Sequence, residues 1–143
     1  VVTNCYGIGD YYDDRSHVIG SVLNKMKNNS RQINLIGTGL AKRDFMYAPD
    51  LGNIIKKLLQ VDATCSALNV ATGQHLTIKQ TVETIANKYQ YFGDILWGES
   101  KDNGVIKKGL DTTKLNNLIG PFDYTSFERG ISQVVNDFKQ TQL

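Results

Sequence analysis

His17 is the side chain in this sequence best suited to move a proton at neutral pH, because an imidazole changes charge between about pH 5 and 8. Apolar residues recur at helical spacing directly after it. Ser16 is expected to cap this helix, since its hydroxyl can accept from an unpaired first-turn amide. The pattern predicts a helix over residues 16–28 with His17 in its first turn, where the helix dipole favours the neutral imidazole. A surface or packing role for His17 stays open on the residues alone.

Metal chemistry is not predicted. The loop before the helix carries Asp10, Asp13 and Asp14. A loop that binds a hard cation places oxygens at alternate positions around a turn glycine, and this loop does not. The loop is therefore predicted to be solvated.

Cys5 and Cys65 stand far apart without metal-like spacing, so two reduced thiols in a cytoplasmic protein are the simpler expectation.

Alternating extended and helical patterns along the chain predict an α/β fold. Strands are predicted over residues 1–6, 33–36, 45–47, 65–71 and 93–97. Helices are predicted over residues 49–59, 77–89, 112–118 and 126–139, in addition to the helix of His17. The helix signal at 77–89 is reinforced by a capping box that Thr77 and Gln80 can form, and Ser126 is the expected cap of the last helix.

The size, charge and composition of the chain argue against two classes of binding partner. The chain has 143 residues, the size of one domain, and a net charge of +2. Its lysines are dispersed and no basic run is interleaved with aromatic residues, so no nucleic acid partner is expected. No apolar run reaches membrane-spanning length and no signal peptide opens the sequence, so no membrane partner is expected either.

Several short motifs follow one another in a characteristic order. They are Asn4-x-Tyr6-Gly7-x-x-Asp10, Ser16-His17-Val18-Ile19, Gly37-Thr38-Gly39, Lys42-Arg43-Asp44-Phe45, Leu68-Asn69-Val70-Ala71-Thr72-Gly73, Leu76-Thr77-Ile78-Lys79 and Lys107-Lys108-Gly109-Leu110-Asp111. Together they resemble the GDP-L-fucose synthase family, epimerase-reductases of the extended short-chain dehydrogenase superfamily. The resemblance runs from Thr3 to about Phe138. The string around His17 narrows it to that family, since the motifs around Arg43 and Asn69 are shared by many nucleotide-sugar epimerases and dehydratases.

The resemblance implies that residues 1–143 form the C-terminal, substrate-binding part of an extended short-chain dehydrogenase fold, with most of the Rossmann domain absent. Neither a Gly-x-x-Gly-x-x-Gly fingerprint nor a helical Tyr-x-x-x-Lys pair occurs in the chain. We therefore expect NADP(H) to be bound mainly by a missing N-terminal half, and the chain alone to be inactive. The full-length enzyme is expected to be a homodimer, as is common in the family.

The resemblance also assigns site residues. His17 would be the acid that returns a proton during epimerisation, while its cysteine partner in the family lies upstream of this chain. Arg43 would contact the diphosphate of the GDP-sugar, although a surface role is the simpler reading of the residue alone. Lys25 stands where the family has an arginine near the phosphates, and Asn103 stands where an aspartate contacts substrate. Lys108 belongs to a segment that closes over the nucleotide.

Thr3 and Asn4 match a motif that lies against the nicotinamide end of the cofactor, although the residues alone leave Asn4 as a possible turn-stabilising amide. The leading hypothesis is thus the substrate-binding part of an enzyme that converts GDP-4-keto-6-deoxy-D-mannose to GDP-L-fucose by epimerisation and NADPH-dependent reduction. A second hypothesis is the same part of another nucleotide-sugar epimerase or dehydratase, which Asn103 and Ile36 favour because both depart from the family pattern. A third is a non-enzymatic nucleotide-sugar-binding or interaction module.

Overall fold

The computed structural model describes residues 1–13, 15–61, 67–98 and 105–141, and it confirms the α/β fold. The strands are β1 (Asn4–Tyr6), β2 (Gln32–Leu35), β3 (Lys42–Arg43), β4 (Phe45–Tyr47), β5 (Leu76–Thr77) and β6 (Asp94–Trp97). The helices are α1 (Val18–Asn28), α2 (Ala48–Leu58), α3 (Ile78–Tyr89), α4 (Thr113–Ile119) and α5 (Phe127–Thr141). Within the described residues, no helix combines the length and apolarity that crossing a membrane requires.

The strands pair as three short two-stranded sheets. β1 pairs with β4 in parallel, and β2 pairs with β6 in parallel, so each pair is joined by a long crossover connection. β3 and β5 pair antiparallel, with Lys42 opposite Thr77. A further parallel bridge joins Lys42 to Lys107, which places the segment around Lys107 on the other side of β3.

The main core lies where α1, α3 and α5 pack together beside β1, β2 and β4. Leu23, Ile85 and Ile131 are completely buried there. Burying an aliphatic side chain of this size stabilises a fold by about 1.5–3 kcal/mol, so the three helices are held chiefly by these apolar faces. A smaller core between β4, α2 and α4 contains Met46, Ile54, Val70 and Leu115. The two cores fix β1 and β4, which form one wall of the site described below.

The start of α1 differs from the prediction. The helix begins at Val18, His17 occupies the N-cap position, and no side chain caps it. The Ser16 hydroxyl instead donates to the Asp13 carbonyl at 2.6 Å, and the Ser16 amide donates to the same oxygen at 2.9 Å. Ser16 therefore closes the preceding turn and is not the cap, because a short polar side chain readily bonds to nearby backbone.

The strand predicted over residues 65–71 is also wrong where it can be compared. Cys65 lies outside the described residues, and residues 67–69 are not part of a strand. Val70 forms a single parallel bridge with Val2. The apolar run is explained by burial of Val70 and Ala71 in the core and not by a ladder of strand hydrogen bonds. The capping box of Thr77 and Gln80 is confirmed.

Candidate functional site

One open cleft of about 810 Å³ brings together most of the residues that the sequence singled out. Its volume lies in the range of about 300–1,000 Å³ that is typical of small-molecule sites. The predicted residues on its lining are Thr3, Asn4, His17, Arg43 and Lys108. They come from β1 and the residue before it, the N-terminus of α1, β3 and the segment after residue 105. Residues distant in sequence therefore converge on one site.

The backbone conformation of His17 fixes this residue at the N-terminus of α1. Its φ and ψ angles of −78° and −174° are extended, and its carbonyl accepts the first helical hydrogen bond, from the Ser21 amide at 2.9 Å. The side chain is exposed and takes no part in capping. The imidazole thus lines the cleft on a fixed backbone, which suits a group that must meet a substrate.

Arg43 is half-buried in the cleft wall. Its Nη1 donates to the carbonyl oxygens of Lys42 at 2.7 Å and Val105 at 2.8 Å. These bonds fix one corner of the guanidinium and tie β3 to the segment that follows residue 104. A guanidinium held in this way is a rigid fork of the kind that binds phosphate oxygens two at a time.

Lys107 and Lys108 add two positive charges to that of Arg43 on the cleft lining, and we call these three residues the positive wall. Lys107 and Lys108 line the cleft, and their segment is joined to β3 by two backbone bonds. The Lys42 amide donates to the Ile106 carbonyl at 2.7 Å, and the Lys108 amide donates to the Lys42 carbonyl at 3.2 Å. Sequence reasoning assigned a role to Lys108 but not to Lys107, although both stand in the same motif.

Thr3 and Asn4 are oriented by the backbone of Asp44. The Thr3 hydroxyl donates to the Asp44 carbonyl at 3.0 Å, and Asn4 Nδ2 donates to the same oxygen at 2.9 Å. Both side chains keep an oxygen that can accept a hydrogen bond. Asp44 itself is fully buried, and no role for it was derived from the sequence. Its position inside a quoted motif was the only signal.

Cys5 also lines the cleft. Partial burial raises the pKa of its thiol, the negative charge of Asp10 adds to that effect, and a hydrogen bond from the Tyr6 backbone opposes it. The thiol therefore keeps its proton at neutral pH. A protonated thiol is a poor nucleophile.

The structure does not bring Lys25 into the cleft lining. Its ammonium donates to the Asn34 carbonyl at 2.8 Å, which ties the end of α1 to β2. Asn103 lies outside the described residues. The substrate-binding roles of both remain predictions.

Known proteins are similar to this chain in sequence. A sequence model of the NAD dependent epimerase/dehydratase family matches residues 1–71. The GDP-L-fucose synthase of Azorhizobium caulinodans is 31% identical over 137 residues, which cover 92% of this chain and 44% of the relative. The chain belongs to the NAD dependent epimerase/dehydratase family. A GDP-L-colitose synthase of Yersinia pseudotuberculosis is also 31% identical, over 94% of this chain and 46% of the relative. This epimerase-family chain thus spans about half the length of the curated relatives it matches.

Solved structures of the family share the fold. A GDP-L-fucose synthetase from Naegleria fowleri bound to NADP superposes with a TM-score of 0.89 at 23% identity, covering 99% of this chain and 46% of that one. A UDP-glucose 4-epimerase from Thermotoga maritima, solved with UDP-glucose, superposes with a TM-score of 0.86 at 21% identity, covering 99% and 45%. The fold of this chain is therefore shared with about half of each of these two proteins, whose names refer to different nucleotide sugars.

Proposed function

We propose that this chain is the substrate-binding part of an enzyme of GDP-L-fucose synthase type that acts in the cytoplasm. The observation that carries the proposal is that His17 lines the same cleft as Arg43, Lys107 and Lys108. A proton carrier and an anion-binding wall are two of the features that epimerisation of a nucleotide sugar requires. The names of the curated relatives favour GDP-L-fucose as the product, and the resemblance carried by the sequence motifs implies GDP-4-keto-6-deoxy-D-mannose as the substrate.

His17 would serve the epimerisation. A proton on a carbon next to the substrate ketone is acidic enough to be removed by a side-chain base. The electron pair of that C–H bond passes to the ketone oxygen as an enolate. The His17 imidazolium then gives a proton to the carbon from the other face, and the ketone is restored. The neutral imidazole regains a proton from solvent, and the base releases to solvent the proton that it removed.

Arg43, Lys107 and Lys108 would bind the diphosphate. Their positive charges lie on the cleft lining and attract an anion before any base-specific contact forms. The guanidinium of Arg43 adds direction because its Nη1 is already fixed by two carbonyl oxygens. This arrangement would hold the sugar ring of the substrate toward His17.

The family binds NADP, and the residues present fit one end of that cofactor. Thr3 and Asn4 each keep a free accepting oxygen beside the cleft while their donors are fixed on Asp44. Such oxygens suit the carboxamide NH₂ group of a nicotinamide. When bound, the cofactor supplies the hydride that reduces the ketone. Because the chain carries no dinucleotide fingerprint, most of the cofactor would be held by a separate N-terminal half, and the chain alone would be inactive.

A small apolar surface on α2 suits contact with such a half. Ile55 is 49% exposed and Leu59 is 83% exposed, and their spacing places them on the same side of the helix. We call this pair the α2 patch. The α2 patch would be buried against the missing Rossmann half in the complete enzyme. We expect the complete enzyme to form a homodimer through that half.

Calorimetric titration of this chain with GDP, UDP and dTDP at low salt tests the proposal. We expect GDP to bind and the other two nucleotides to bind more weakly. Arg43→Ala should weaken GDP binding by roughly tenfold or more, since a hydrogen-bonded charge contributes about 1.5–3 kcal/mol. Arg129→Ala, which removes an exposed arginine of α5, is the matched control and should change nothing. Binding that is insensitive to Arg43→Ala would contradict the assigned phosphate site.

A second candidate is the same part of another nucleotide-sugar epimerase. It is favoured by Asn103 and Ile36, which depart from the pattern of the GDP-L-fucose synthase family. A preference for UDP or dTDP in the titration would select this candidate. The role of His17 would then need to be reassigned, while the phosphate contacts of Arg43 would stand.

A further inference from the structure

His75 is the second histidine of the chain, and the chemistry proposed above does not use it. It stands directly before β5 and is partly buried. Its Nε2 atom is buried and has no hydrogen-bond partner among the described residues. A buried polar atom without a partner costs free energy. Other contacts of this imidazole must therefore offset the cost of burying Nε2.

The His75 ring packs against the backbone of Gly109. A Cβ atom built on Gly109 would overlap with His75 Nε2 and would lie 3.1 and 3.3 Å from Cε1 and Cδ2. Gly109 is part of the cleft lining, together with Lys107, Lys108 and Leu110. The imidazole therefore packs against a residue of the cleft lining, and a Cβ atom at position 109 would require the ring to move.

This contact spans β3. β5, which His75 precedes, lies on one side of β3, and the segment that contains Lys107 lies on the other. His75 thus reaches from the first side to Gly109 on the second. The segment of Lys107 and Lys108 is also joined to β3 by the two backbone bonds of Lys42 and by the bond from Arg43 Nη1 to the Val105 carbonyl. The packing of the imidazole adds a further fixed point.

We propose that His75 is a positioning residue, which packs against Gly109 and sets the distance of the 107–110 wall from β3. The role of that wall in binding a diphosphate rests on the proposed function, but the packing itself does not. The shape of the imidazole and the absence of a side chain at Gly109 form one complementary pair. A change at either position is then compensated by a change at the other.

The test is a double-mutant cycle of His75→Ala and Gly109→Leu with two readouts. The first is amide hydrogen exchange at Lys42 and Lys108, whose amides donate the two bonds between β3 and the wall. The second is the calorimetric affinity for GDP. Gly109→Leu should speed exchange at both amides and weaken GDP binding, each by roughly tenfold, because an overpacked contact forces the backbone to move. Adding His75→Ala should return both values to within about threefold of the parent, since the ring's space is then open to the leucine.

Two controls keep the result specific. Gly52→Leu places the same side chain at an exposed glycine of α2 with no atom within 4 Å of the new Cβ, and it should move neither readout. Amides in the middle of α5 report whether the whole protein is destabilised, and they should keep their protection. If Gly109→Leu prevents folding, Gly109→Ala replaces it in the same cycle.

The outcomes separate this inference from the proposed function. Failure of the parent chain to bind GDP would remove the proposed function, while the exchange data would still decide the role of His75. Unchanged exchange in Gly109→Leu would overturn the inference even if GDP binds. A double variant no better than Gly109→Leu alone would overturn it as well, because the two positions would then not be a complementary pair.

Discussion

Asp44 and Thr72 are joined by two hydrogen bonds inside the protein. The Asp44 carboxylate accepts from the Thr72 amide at 3.2 Å and from the Thr72 hydroxyl at 2.8 Å, and it also accepts from the Gly73 amide at 2.7 Å. Its backbone carbonyl orients Thr3 and Asn4 at the cleft. One buried residue thereby links the site to the turn that follows Val70.

We expect Asp44→Ala to lower the free energy of unfolding by about 3 kcal/mol, because three donors lose a charged acceptor and two of them are backbone amides. Asp44→Asn keeps one accepting oxygen and should cost less. Urea denaturation measures both. Asp123→Ala, at an exposed aspartate, is the control and should fall within about 0.5 kcal/mol of the parent. An equally small change for Asp44→Ala would show that the network does not support the fold.

The sequence predicted best what short-range interactions determine. α3 was expected from Thr77, Gln80 and the apolar stripe, since the capping box needs only residues three apart. The position of Asp44 could not be derived, because its partner Thr72 is 28 residues away and no local pattern marks such a pair. The cap at Ser16 was wrong for the opposite reason, as the nearby Asp13 carbonyl competed for the hydroxyl.

The candidate site was predicted in part. His17, Arg43 and Lys108 were named from motifs and lie on one cleft. Lys107 stands in the same motif and the same nucleotide-closing segment as Lys108, but only Lys108 was named as a site residue. The contact between His75 and Gly109 carried no sequence signal at all, because packing between distant segments depends on the folded backbone and not on residue type.

Tyr12 gives a test at high pH. Its hydroxyl is buried without a hydrogen-bond partner among the described residues, and its ring packs on Phe138 with centroids 4.6 Å apart. Burial raises the pKa of Tyr12 to about 12, and the charges of Asp137 and Asp10 add to this. The unfolded chain therefore loses this proton near pH 10 while the folded chain keeps it, so stability falls as pH rises from about 10 to 12.

We expect Tyr12→Phe to reduce that slope and to raise stability at pH 7 by about 1 kcal/mol, because the orphaned hydroxyl is removed and the ring is kept. Chemical denaturation at pH 7 and across pH 9–11 measures both effects. Tyr11→Phe is the matched control, since the Tyr11 ring is 54% exposed. A Tyr12→Phe variant less stable than the parent would show that the hydroxyl has a partner.

The α2 patch is expected to be dispensable for folding and required for assembly. Replacing Ile55 and Leu59 by lysine should change the free energy of unfolding by no more than about 1 kcal/mol, since Leu59 is largely exposed and Ile55 is about half exposed. The same change should prevent association with a separately expressed cofactor-binding half, measured by analytical ultracentrifugation. Phe92→Lys, at a ring that is 94% exposed elsewhere, is the control. Association that survives the double lysine variant would exclude the α2 patch as the contact.

The positive wall should give GDP binding a salt dependence. We expect the double variant Lys107→Ala and Lys108→Ala to weaken GDP binding by roughly tenfold at low salt and by less at about 0.5 M salt, where exposed charges are screened. Guanosine, which has no phosphate, should not distinguish the variant from the parent. Lys56→Ala with Lys57→Ala removes an equivalent pair of exposed lysines from α2 and should leave the affinity unchanged. Equal losses for the two pairs would mean that only net charge matters.

His17 is tested by the reaction itself. In the chain combined with its cofactor-binding half, His17→Gln should slow incorporation of solvent deuterium at one carbon beside the ketone by about 10²–10⁴-fold, the usual contribution of general acid–base catalysis. GDP affinity should not change, because His17 lines the cleft without contributing to its charged wall. Reduction of the already epimerised ketone should also persist, since hydride transfer does not need this proton. If His17→Gln exchanged deuterium at the parent's rate, a different group would be the acid, and the cleft would retain only its binding role.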